Sequence, residues 1–158
     1  MLVLLGLLLA CTPPEPPPAG VELGTGDLSF EAIPNDGEIF VIQGPQGGYH
    51  FLGSARLSGV EAGDPDDLSS NRNPTTAFQV VVDGEELAPA ATYVQGYDPL
   101  EDVYQVYEMV GRLVILDIAS DSELDHVPVR FDVTVSTADG YELHDTRDLI
   151  AVPHPSNL

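Results

Sequence analysis

From about residue 27 onward, apolar and polar residues alternate with a period of two, and short turn signals cut the alternation into segments. Leu28, Phe30 and Ala32 alternate with Ser29 and Glu31. Asn35-Asp36-Gly37 reads as a turn, and Glu38–Gln43 (EIFVIQ) as a nearly continuous apolar strand. The loop Gly44-Pro45-Gln46-Gly47-Gly48 follows. In the next strand Tyr49, Phe51, Ala55 and Leu57 share one face with Gly53 and Gly59, and His50, Ser54, Arg56 and Ser58 the other. Residues 61–75 form a polar loop. Phe78, Val80 and Val82 lead into Asp83-Gly84, a strong hairpin dipeptide. Residues 86–94 read as the return strand, broken by Pro89. Residues 112–118 (RLVILDI) read as a central strand, and 127–136 as the clearest one, with Val127, Val129, Phe131, Val133 and Val135 on one face. Asp139-Gly140 turns the chain into a last strand over 141–152.

One segment carries two signals. Asp98-Pro99-Leu100-Glu101 has the form of a helix start, and Leu100, Val103, Tyr104, Tyr107 and Val110 fit helical spacing before Gly111. The stretch VYQVY is rich in β-formers, which favours a strand over 102–109. The whole pattern predicts an all-β protein: an antiparallel β-sandwich of about eight or nine strands. A consecutive parallel pair needs a crossover connection, usually a helix, and the spacing leaves no room for one.

The N-terminus has a different character. Residues 1–10 (MLVLLGLLLA) carry no charge. The run is too short to span a bilayer, which takes about 20 residues, and has the length of a signal-peptide core. Cys11, the sole cysteine, follows at once. Leu8-Leu9-Ala10-Cys11 resembles the lipobox of bacterial lipoproteins. The resemblance implies cleavage after Ala10, acylation of Cys11 and anchoring through the fatty chains, each buried methylene contributing about 0.8 kcal/mol. No positive charge precedes the apolar run, a departure from the usual signal peptide. Thr12 rather than Asp follows the cysteine, which in this family's sorting pattern favours the outer membrane. Residues 12–20 (TPPEPPPAG) hold five prolines and predict an extended spacer of about 28 Å. The expected organisation is a signal peptide over 1–10, an acylated cysteine and Pro-rich tether over 11–25, and a sandwich over 26–154.

The segment VPVRFDVTVSTADGYELHDTRDLIAV resembles the closing hairpin of bacterial immunoglobulin-like domains, and GPQGGYHFLGSARLSGV (44–60) is similar to segments of uncharacterised secreted bacterial lipoproteins. These resemblances imply an immunoglobulin-like architecture and carry no activity. A single Cys and no Trp exclude an antibody-type core.

Charge narrows the partners. The chain has 26 acidic residues against 5 basic ones, all Arg, for a net charge of −21. Nucleic-acid binding is excluded, because it needs clustered cations to displace phosphate counterions. One cysteine also rules out an internal disulfide framework and a Cys-rich zinc site.

Three sets of residues are candidates for chemistry. The glycine-rich loop offers Gln46, Tyr49 and His50 as polar contacts in a binding loop; the competing reading is a plain turn. Asp121, Glu123 and Asp125 alternate in an acidic loop as Ca²⁺ ligands would, without the glycine and terminal glutamate of an EF-hand, and Asp64, Asp66 and Asp67 form a similar cluster. The competing reading of both is a solvated acidic loop. His50, His126, His144 and His154 form no close sequence pair, so a zinc site would have to be assembled in space, from His126, His144 and Asp145. No G-x-S-x-G elbow is present. The expectation is a lipid-anchored, non-enzymatic envelope module with no cofactor, binding or supporting another envelope protein. The alternative is a calcium-binding domain that stabilises or bridges an envelope complex.

Overall fold

The computed structural model describes residues 14–157. The expected signal peptide, cleavage site and Cys11 lie outside the described residues. The elements in chain order are β1 (Gly20–Thr25), β2 (Glu31–Ala32), β3 (Glu38–Gln43), β4 (Tyr49–Ser58), β5 (Thr75–Val82), β6 (Glu85–Glu86), β7 (Ala91–Val94), β8 (Asp98–Pro99), β9 (Val106–Leu116), a 3₁₀ turn (Asp121–Leu124), β10 (Val127–Ser136) and β11 (Glu142–Pro153).

The strands form two packed layers joined through β3. In the first layer β4 pairs antiparallel with β9 along its whole length. On its other side β4 pairs with β1 over Ser54–Ser58 and with β3 over Tyr49–His50. In the second layer β10 lies between β11 and β5, both antiparallel to it, and β5 carries β6 and β7. The alternation along β10 fixes this register: Val129, Phe131, Val133 and Val135 are buried, and a one-residue slip would turn all four to solvent. Phe131 sits at the centre, edge-on to Phe51 at 5.8 Å and tilted against Phe78 at 5.9 Å. Gly53 makes room for that cluster, since a Cβ there would lie 2.9 Å from the Phe78 ring and 3.0 Å from Val114.

The all-β expectation holds, and the purely antiparallel one does not. Residues Glu38–Val41 of β3 pair parallel with Ile150–Pro153 of β11. The crossover rule limits consecutive strands, and here most of the chain separates the two partners. Ile42 and Gln43, at the end of the same strand, pair antiparallel with β4. One short strand thus stitches the two layers together.

Other boundaries move as well. The tether was expected to reach residue 25, but Gly20–Thr25 forms β1, with Leu23 fully buried. Two glycines and a glutamate in GVELGT hid that strand. Pro18 already touches the body, its carbonyl accepting a bond from Ser58 Oγ at 2.9 Å. The alternation at 28–32 yields only Glu31–Ala32, and Leu28 is 93% exposed. The return strand at 86–94 splits into β6 and β7 on either side of Pro89, whose missing N–H cannot join a ladder. The helix alternative at 98–110 is not realised. Asp102 and Gln105 have φ of 61° and 53° in a turn, and β9 begins only at Val106. It then runs on through Gly111 to Leu116, merging two expected strands. A register shift opposite Gly53–Ala55 absorbs the irregularity around Gly111, whose φ of 67° is easiest for glycine.

Candidate functional site

The outer face of a solvated sheet is ordinarily polar, because alternation sends one set of side chains to water. The outer face of β10 follows that rule with Arg130, Asp132 and Thr134. The outer face of the β3–β4–β9 layer breaks it. The register places Ile115 beside His50, Leu113 beside Leu52, and His50 beside Ile42. Leu113 is 47% and Ile115 58% exposed. Phe40 extends the strip along β3, its ring edge-on to His154 at 5.1 Å.

Ile42, His50, Leu52, Leu113 and Ile115 line an open cleft of about 840 Å³, and Phe40 lines a smaller recess beside it. The glycine-rich loop closes one end of the cleft. Its backbone is held by Gly44 N–H to Gly48 O and Gly47 N–H to Gly44 O, both 3.0 Å. Gly47 and Gly48 have φ of 79° and 78° with open space where a Cβ would sit. They therefore serve the turn's left-handed backbone rather than a close approach. Gln46, Tyr49 and His50 all border the cleft, and Tyr49 also packs on the core. Burial pushes the His50 imidazole below its ordinary pKa, so it is neutral at pH 7.

Ser54 secures the opposite wall. It is fully buried although it lies on the outer face of β4. Its Oγ accepts from Gly111 N–H at 3.1 Å and donates to Gly26 O at 3.4 Å. This clamps the β1–β2 loop onto the irregularity in β9. Asp27, on that loop, lines the cleft, and Glu31 lines a smaller recess that continues it past Ile42 and Leu52. At the far end of β9, Asp117 borders an apolar notch beside Ile115. Tyr93 crosses from the other layer to donate its phenol to Leu113 O at 2.6 Å.

The acidic candidates do not converge. Glu123 Oε1 accepts Ala119 N–H at 2.8 Å and Ser120 N–H at 3.0 Å, closing a capping box on the 3₁₀ turn. Asp121 Oδ2 accepts Asn157 Nδ2 at 2.8 Å, and Asp125 pairs with His126 at 2.6 Å. Glu123 caps its own turn, Asp121 ties the turn to the C-terminal segment and Asp125 meets its neighbour, so the three carboxylates expected as calcium ligands are engaged separately. In the other acidic loop Asp64 and Asp67 accept bonds from Asp66 and Ser69 within their own turns. His144 faces Thr134 across the hairpin, whereas His126 precedes Val127 at its other end. Eight residues of strand, about 27 Å, separate them, and no zinc site forms there. Among the described residues no group of three His, Cys, Asp or Glu side chains is placed to hold a metal ion.

Sequence reasoning missed Ile42, Leu52, Leu113, Ile115 and His154. The signal was present in RLVILDI: a run apolar on both faces expects cover on both, and in this structure one face is open. A second, polar cleft of about 610 Å³ lies at the opposite pole near Gly59, with Arg72 paired to Glu61 inside it. Comparison with known proteins gave no matching family model, no matching characterised protein and no matching solved structure.

Proposed function

We propose that this protein is a lipid-anchored cell-envelope protein, tethered at the outer membrane through Cys11. It works as a non-enzymatic binding module, with the β3–β4–β9 outer face as its binding surface. The observation that carries this reading is an exposed apolar face on a chain of net charge −21. Apolar patches on so acidic a surface mark contact sites. Its position supports the reading. The chain enters beside Ser58 and Gly59, where a Cβ on Gly59 would lie 2.2 Å from Pro17 O. The glycine-rich loop that closes one end of the cleft lies at the other end of β4, a strand of ten residues or about 33 Å. The immunoglobulin-like reading draws on the closing hairpin β10–β11, and the parallel β3–β11 pair departs from a purely antiparallel sandwich.

Two measurements test the proposal. Labelled palmitate is expected in the wild type and absent from Cys11→Ser. A photo-crosslinking residue at position 115 in intact cells is expected to give a discrete adduct that the same residue at position 134 does not. Equal labelling of both forms, or equal adducts at both positions, refutes it.

A further inference from the structure

Resting on that reading, we infer that the cleft takes an extended apolar peptide segment of a partner protein, flanked by lysine or arginine. The floor is apolar: Ile42, Leu52, Leu113 and Ile115 line it, and His50 is neutral. The carboxylates stand around it. Asp27 and Glu31 lie on the β1–β2 side and Asp117 beyond the end of β9. None of the three forms an ion pair among the described residues. Four of the five arginines are paired elsewhere: Arg56 with Glu22 and Glu108, Arg72 with Glu61, Arg130 with Asp132, and Arg147 with Asp145. The fifth, Arg112, turns toward the Tyr93 ring at 5.8 Å. The groove is therefore apolar along its length and negative at its margins. The complementary ligand is apolar in the middle and positive at the ends.

The strand edge favours an extended shape. Tyr93 reaches Leu113 O from the side away from β4, so that carbonyl points out of the sheet. Backbone polarity alternates along a strand, which turns the Ile115 carbonyl to the same edge. β8 covers β9 only at Tyr107 and Glu108. An added strand would find a backbone partner at Ile115, beside the pockets that its side chains fill. A second copy of this chain is the poorer fit, since it would bring the same unpaired carboxylates against one another.

The test uses the full chain carrying Cys11→Ser and three fluorescent nonapeptides, read by anisotropy at 50 and 300 mM NaCl. One has a Leu/Val core between paired lysines, the second the same core between paired glutamates, and the third a Ser/Thr core between paired lysines. The first is expected to bind at least tenfold more tightly than the others and to weaken with salt. The double variant Leu113→Ser/Ile115→Ser, altered only at exposed positions, is expected to lose at least tenfold. Asp27→Asn/Glu31→Gln is expected to lose a few-fold and to flatten the salt dependence. Equal binding of the glutamate-flanked or Ser/Thr-core peptide, no loss in either variant, or a dimer in sedimentation overturns the inference. A crosslink at position 115 in cells with no preference for the lysine-flanked peptide overturns the inference and leaves the binding-module reading standing. Absence of that crosslink overturns the reading itself.

Discussion

Ser54→Ala removes one oxygen from the most constrained point of the cleft wall. The hydroxyl is fully buried and is the only partner seen for Gly111 N–H at 3.1 Å among the described residues. Alanine leaves that amide unsatisfied, at a cost of about 1–3 kcal/mol. The second bond, to Gly26 O at 3.4 Å, is long and adds little. The expected destabilisation is about 2 kcal/mol. At about 2.1 cal/mol/K per residue over about 140 ordered residues, that lowers the Tm by about 7 °C. Urea and thermal melts of the two proteins check it, with an unchanged urea m-value showing that the denatured state is unaltered. Ser58→Ala is the control. Its hydroxyl also bonds a carbonyl, Pro18 O at 2.9 Å, but at an exposed site, so its effect is expected within about 0.5 kcal/mol. Equal effects in the two variants, or a Ser54→Ala loss below about 0.5 kcal/mol, would refute the claim that this hydroxyl clamps the β1–β2 loop to β9.

Three further outcomes follow from the geometry. Gly53→Ala places a methyl 2.9 Å from the Phe78 ring and 3.0 Å from Val114, an overpacking expected to cost about 1–3 kcal/mol in the same melts. Asp145→Ala strips the acceptor from Leu23 N–H at 2.7 Å and the counter-charge from the half-buried Arg147; about 2–3 kcal/mol is expected from a charged hydrogen bond lost there, and a value near zero shows that this link between the layers is idle. The His50 pKa is lowered by burial, so the unfolded chain takes up the proton more readily. The stability it confers is full above the ordinary histidine pKa and is lost as pH falls from about 6.5 through the folded value. His50→Gln is expected to remove that component from the pH–stability curve, and a superimposable curve between pH 7 and 5 contradicts it.

The strands whose two faces differ in polarity were legible in the sequence. Along β10 every second residue is apolar, and strand, register and burial follow from that alone. Asp83-Gly84 and Asp139-Gly140 announced their turns for an equally local reason, since Gly84 and Gly140 have φ of 86° and 92°. The Gly44–Gly48 loop was legible as a turn and as a candidate site on its composition. What it borders was not. Leu113 and Ile115 sit in a run apolar on both faces, and a sequence cannot say which face its neighbours leave bare. That depends on β3 ending beside β4 rather than passing over it, and on Ser54 holding a loop from far along the chain. β1 escaped notice because its inward Val21 and Leu23 alternate with Gly20, Glu22 and Gly24, too few apolar positions to announce a strand. The parallel β3–β11 pair joins segments more than 100 residues apart. Local alternation fixes which residues face inward; only the closed fold decides which strands meet and which apolar surface is left uncovered.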